Sequence, residues 1–116
     1  MTDSKILIAI TLLLVFVSGC ASSNHDALAS CLTEKGVKMY GAFWCPHCER
    51  QKDMFGSSFE KINYTECSLP DRSGQTKACI DKNIEKYPTW EFPDGSRVQG
   101  VLTFDQLKQK SGCSGD

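Results

Sequence analysis

The stretch "MYGAFWCPHCERQK", residues 39–52, decides how the chain is read. An apolar run leads into Cys45 and Cys48, and a charged run of helical character follows. Where a strand stops and a helix starts, free backbone N–H groups and the positive end of the helix dipole face the first helical residues. Both favour a thiolate at Cys45. Pro46 suits the first turn, where its missing N–H costs nothing. Cys48 falls one turn further along the same side, within disulfide reach of Cys45, so one sulfur can attack and the other resolve. By itself the pair leaves three readings open: a redox centre, half of a metal site, or a structural staple.

The rest of the chain narrows them. A zinc site needs a second pair, and Cys67 and Cys79 do not form another C-x-x-C. A c-type haem needs His directly after Cys48, where Glu49 stands. Neither a metal nor a cofactor is expected. The net charge of −1, with no Lys/Arg stripe, argues against nucleic acid as a partner. At 116 residues there is room for one core, and no internal repeat divides it. Seven cysteines at this length suit an oxidising compartment better than a reducing cytosol.

The first residues point to the same compartment. Residues 6–19, "ILIAITLLLVFVSG", are uncharged and mostly apolar, too short for a bilayer span of about 20 residues but suited to a signal-peptide core. They end in Val17-Ser18-Gly19-Cys20, which resembles a bacterial lipobox. The expectation is a lipoprotein-type signal peptide over 1–19, lipidation at Cys20, a polar tether over 20–25 and a domain over 26–116. An uncleaved anchor helix is the alternative, and either way the domain is placed outside the cytoplasm, in the cell envelope, held to a membrane. His25 is read as part of the tether.

From Asp26 the residues Leu28, Cys31 and Leu32 repeat at helical spacing, and Gly36 is placed to end that helix. Strand 37–43, helix 46–59, strand 61–67, the loop "SLPDRSGQ" and a short helix with Cys79, Ile80 and Ile84 on one side follow. "PTWEF" and "RVQGV" flank the Asp94-Gly95 turn as a hairpin. Thr103 and Gln106 form a capping box, with Leu102 and Leu107 at the staple positions, so a last helix starts there. Crossover units followed by a hairpin predict an α/β fold: a mixed four-stranded sheet with helices on both faces. Trp90, Phe92, Phe43, Phe55 and Phe59 are expected in the core.

"FWCPHC" after a strand, with "YPTW" ahead of a hairpin, resembles the thioredoxin superfamily. From about Lys35 to Gly112 the chain is more closely similar to the thioredoxin-like domain fused to bacterial and plant vitamin K epoxide reductase homologues. There "YGAFWCPHC", an "NY-x-E-C" strand and "YPTWEF"-like segments occur in this order. The resemblance implies a thioredoxin fold and thiol–disulfide exchange with exported protein thiols. It casts Cys45 as the exposed nucleophile and Cys48 as the resolving cysteine. Pro46 and His47 match the dipeptide of strongly oxidising members such as the DsbA group, where the His favours the thiolate and so the reduced form. Pro88, after Tyr87, matches a cis-proline loop that faces the pair and takes substrate backbone, and Trp44 packs beside the site. One departure is at Met39, where thioredoxins carry a buried Asp. Without that carboxylate to deprotonate Cys48, an oxidant is favoured over a reductase.

Cys67 and Cys79 bracket a Pro/Gly loop and are read as a structural disulfide worth roughly 3 kcal/mol in the chain-entropy model; an internal relay pair is the rival. Cys31 and Cys113 are left to pair by elimination, unless Cys113 is free for mixed disulfides. The function expected is a membrane-tethered dithiol oxidase. Its electrons would pass to a vitamin K epoxide reductase-like or DsbB-like membrane partner. A reductase or isomerase is the alternative within the class. A Cu(I)-holding envelope module or a purely structural lipoprotein domain is the alternative outside it.

Overall fold

The computed structural model describes residues 24–114, so the signal-peptide segment, Cys20 and most of the tether lie outside the described residues. Within them the chain runs α1 (Asp26–Glu34), β1 (Lys38–Gly41), α2 (Pro46–Phe55), a 3-10 helix (Gly56–Lys61), β2 (Tyr64–Glu66), α3 (Lys77–Asp81), β3 (Thr89–Glu91), β4 (Arg97–Gln99) and α4 (Phe104–Ser111). The four strands lie in the order β2-β1-β3-β4, with β1 parallel to β2 and antiparallel to β3, and β3 antiparallel to β4. This is the mixed sheet expected from two crossovers and a hairpin.

Alternation along β1 divides the core. Met39 faces one side with its sheet neighbour Trp90, packed with Leu28, Ala29 and Leu32 of α1, Cys48 and Phe55 of α2, and Leu107 of α4. Tyr40 faces the other, with Cys67, Cys79 of α3 and Ile84. Helices therefore cover both faces. The α4 capping box forms as the sequence specifies, Thr103 Oγ1 accepting from Gln106 N at 3.1 Å while Gln106 Oε1 accepts from Thr103 N at 2.8 Å.

Four local expectations are revised. The helix expected over 46–59 ends at Phe55, because Gly56 takes a φ of 57°, a region where side chains are strained, and a 3-10 turn follows. Ile80 is 56% exposed: successive helical residues point about 100° apart, so with Cys79 turned inward on α3 its neighbour Ile80 faces solvent. Phe43 leaves the core at 39% exposure, with the Arg72 guanidinium 5.5 Å from its ring centroid. His25 is no polar linker. Its ring stacks on Phe104 at 4.1 Å, and its backbone N–H donates to Ser58 Oγ, whose hydroxyl in turn donates to Asp26 Oδ1.

Candidate active site

Cys45 is the N-cap residue of α2, with Pro46 in the first turn and His47 exposed beside it. The Cys45 N–H donates to Ala42 O at 3.1 Å and Glu49 N donates to Cys45 O at 3.1 Å, which locks the loop to the helix start. Neither cysteine of the pair is in a disulfide. Cys45 is the outer thiol, yet only 5% of it is exposed, so the exposed nucleophile of the sequence reading is a largely covered one. Its cover is the segment before β3: the Cys45 thiol points at Tyr87 O, 3.7 Å away, and the Tyr87–Pro88 bond is cis. Trp44, 42% exposed, meets the Tyr87 ring edge-on at 6.0 Å and donates from Nε1 to Ser68 Oγ at 2.8 Å. The structure thus brings Trp44, Cys45, Tyr87 and Pro88 to one place.

Cys48 lies inside, with no exposed surface. Desolvation pushes its thiol up to about 12, partly countered by a hydrogen bond from the Ala42 backbone, so it is neutral at physiological pH. Close approach of α2 to β1 needs Gly41: a Cβ there would sit 2.9 Å from Cys48 Sγ. The two sulfurs therefore occupy unlike surroundings, one at a helix start under a peptide carbonyl and one in the core. An asymmetric dithiol of this kind can form a mixed disulfide at the outer sulfur and resolve it with the inner one.

Three residues build the walls: Gln51, which the motif reading passed over, and Tyr64 and Glu66 of the "NY-x-E-C" strand, to which it gave no role. Gln51, fully buried one turn after Cys48, accepts at Oε1 from Trp90 Nε1 (3.0 Å) and Leu102 N (2.8 Å) and donates from Nε2 to Leu102 O (3.0 Å). It bolts α2 to β3 and to the approach of α4. A polar residue on the Cys48–Phe55 stripe was the signal for it. Tyr64 and Glu66 share one face of β2, and Tyr64 Oη donates to Glu66 Oε1 at 3.0 Å. Glu66 Oε2 accepts from Phe43 N (3.2 Å) and Ser68 N (2.9 Å), which ties β2 to the loop carrying Cys45. Burial, then the Glu66 carboxylate, pushes the Tyr64 phenol well above its ordinary value.

The other four cysteines among the described residues lie in two disulfides. Cys67–Cys79 closes the loop ahead of α3 across 12 residues, both halves fully buried. Cys31–Cys113 ties α1 to the end of α4 with a Cα–Cα distance of 6.0 Å. Among the described residues, no group of three or more His, Cys, Asp or Glu side chains is arranged to hold a metal ion. Nor is any helix among them long and apolar enough to cross a membrane.

A β2-β1-β3-β4 sheet flanked on both faces, with a C-x-x-C at the start of α2 and a cis-proline segment against it, is a thioredoxin-like α/β fold. Among proteins of known activity, the chain is similar to thiol-disulfide oxidoreductase LTO1 of Arabidopsis thaliana, 43% identical over 105 residues. That alignment takes in 86% of this chain and 27% of the relative, so the chain spans about a quarter of the plant protein's length. No family model matches the chain.

Proposed function

We propose that the chain is a thiol–disulfide oxidoreductase working as a dithiol oxidase on exported proteins. The observation that carries the reading is the unlike pair: Cys45 at the start of α2 against Tyr87 O, and Cys48 neutral in the core one turn behind. The similarity to a thiol-disulfide oxidoreductase over most of this chain supports it. In the oxidative direction a substrate thiolate attacks Cys45 Sγ of the Cys45–Cys48 disulfide and Cys48 leaves. A second substrate thiolate then attacks the mixed disulfide, and Cys45 leaves. Two electrons and two protons pass from substrate to enzyme. The exposed Trp44 ring, which meets Tyr87 of the cis-proline segment, would receive the substrate chain.

Membrane tethering through Cys20 rests on the apolar run 6–19 and the small residues before that cysteine. Reoxidation by a quinone-linked membrane partner of the vitamin K epoxide reductase or DsbB type rests on the resemblance of the motifs. The direction rests on the resemblance of the Pro46-His47 dipeptide between the cysteines to that of strongly oxidising members of the superfamily. The test is the reduction potential of the pair against glutathione. It should lie clearly above the about −270 mV of thioredoxin, and His47→Gly should move it down. A wild-type value at or below that of thioredoxin would mean a reductase.

A further inference from the structure

A resolving cysteine that is neutral and fully buried must lose its proton before it can attack, and it must be offered somewhere to send it. The groups facing Cys48 come from three elements. From α2 and its start there are Cys45 and Lys52, and Lys52 Nζ is held 3.8 Å from Glu49 Oε1. From β1 there is only the glycine Gly41. From β2, across Gly41, come Tyr64 and Glu66. The missing side chain at Gly41 is what joins them: the point a Cβ would occupy is 2.9 Å from Cys48 Sγ and 3.3 Å from Tyr64 Oη. Sulfur and phenol oxygen thus border the same gap, close enough for one bridging water to join them. Tyr64 Oη already donates to Glu66 Oε1, and Glu66 is partly exposed, so the far end of the path meets solvent. Lys52 Nζ sits 4.4 Å from the Tyr64 ring centroid, a positive charge beside both the phenol and the sulfur.

We propose that Tyr64 and Glu66 form the proton path of Cys48, an inference that rests on thiol–disulfide exchange at the Cys45–Cys48 pair. With Cys45 in a mixed disulfide, the Cys48 thiol gives its proton to Tyr64 Oη while the phenol proton passes to Glu66 Oε1. The freed electron pair on Cys48 forms the new bond to Cys45 Sγ, the bond from Cys45 to the substrate sulfur breaks, and the substrate departs as a thiolate with the pair of the broken bond. One S–S bond forms and one breaks. The negative charge moves from Glu66 to the departing thiolate, and Glu66 returns its proton to solvent. In the oxidative direction Cys48 leaves as the thiolate and takes a proton back along the same path. The carboxylate absent at Met39 is on this reading supplied from the neighbouring strand.

The experiment mixes reduced protein with Ellman's reagent in a stopped-flow cell. The first thionitrobenzoate released reports attack by Cys45, and the second reports resolution by Cys48. With an internal base taking the proton, wild-type resolution should be flat between about pH 6 and pH 9, whereas hydroxide acting alone would give a tenfold rise per unit. Tyr64→Phe and Glu66→Gln should each slow the second phase on the order of 10–100-fold at neutral pH, and the loss should shrink as pH rises. Wild-type resolution that climbs tenfold per unit overturns the path without recourse to any variant. So does a second phase unchanged in either variant, or one slowed equally at every pH or only in proportion to the first phase. A wild type that releases no second thionitrobenzoate would instead overturn the exchange reading beneath the proposal.

Discussion

Gln51 offers the sharpest test of how the site is held. Gln51→Leu keeps the side-chain volume close to constant and removes both polar atoms. The structure then leaves three groups stranded: Trp90 Nε1–H, Leu102 N–H and Leu102 C=O, all buried. A buried donor or acceptor left without its partner costs about 1–3 kcal/mol, so three of them set an expected loss of roughly 3–6 kcal/mol after local relaxation. A domain of ordinary stability has about 5–15 kcal/mol to lose, so the variant should be folded at low temperature but strongly weakened. The assay is urea denaturation with both structural disulfides intact, followed by tryptophan fluorescence, since Trp90 is itself a reporter. A midpoint shift equivalent to less than about 1 kcal/mol at unchanged slope would refute the argument. It would mean that water or a moved backbone satisfies these groups, and that Gln51 does not bolt α2 to β3.

The remaining predictions concern sulfur and its surroundings. Replacing Cys67 and Cys79 together by Ala opens a loop of 12 residues and should lower stability by about 3 kcal/mol while exchange at Cys45 continues; a folded double variant without turnover would restore the relay reading of that pair. The Cys48 thiol is raised from 9.0 to about 12 on folding. The unfolded chain therefore releases this proton first as pH rises, and the reduced protein should lose about 1.4 kcal/mol per pH unit above about pH 9. The oxidised protein, whose Cys48 does not titrate, should lack that slope, so parallel melts of the two forms from neutral pH to about pH 10 check the sign. Gly41→Ala places a methyl 2.9 Å from Cys48 Sγ and 3.0 Å from Tyr64 Cε2, and should cost about 1–3 kcal/mol by overpacking. A thermal midpoint unchanged from wild type would show that α2 can back away from β1.

Local chemistry made the frame legible. A Pro in the first turn of α2, the capping box at Thr103 and the Asp-Gly turn are short-range signals, and each element they mark is present. Periodicity told less, because it says which residues share a face and not whether that face is covered. Ile80 follows Cys79 on a helix of five residues, and only its neighbour is buried. Phe43 continues the apolar run of β1, but the strand has already ended at Gly41, and past that point alternation no longer fixes which way a ring points.

The same limit applies with more consequence behind the cysteines. Reading Met39 as a missing base treats the site as one position in one strand. The sheet instead sets Gly41 of β1 beside Glu66 of β2 in parallel register. A parallel neighbour is reached only after a crossover, so nothing local to the C-x-x-C segment announces it. Glu66 reaches back to that segment all the same, through the Phe43 N–H, and Tyr64 stands where a side chain at residue 41 would have been. A glycine opposite a carboxylate is thus a different statement from a methionine in place of one. The first leaves a gap bordered by both a buried thiol and a phenol, while the second only fills the core against Trp90.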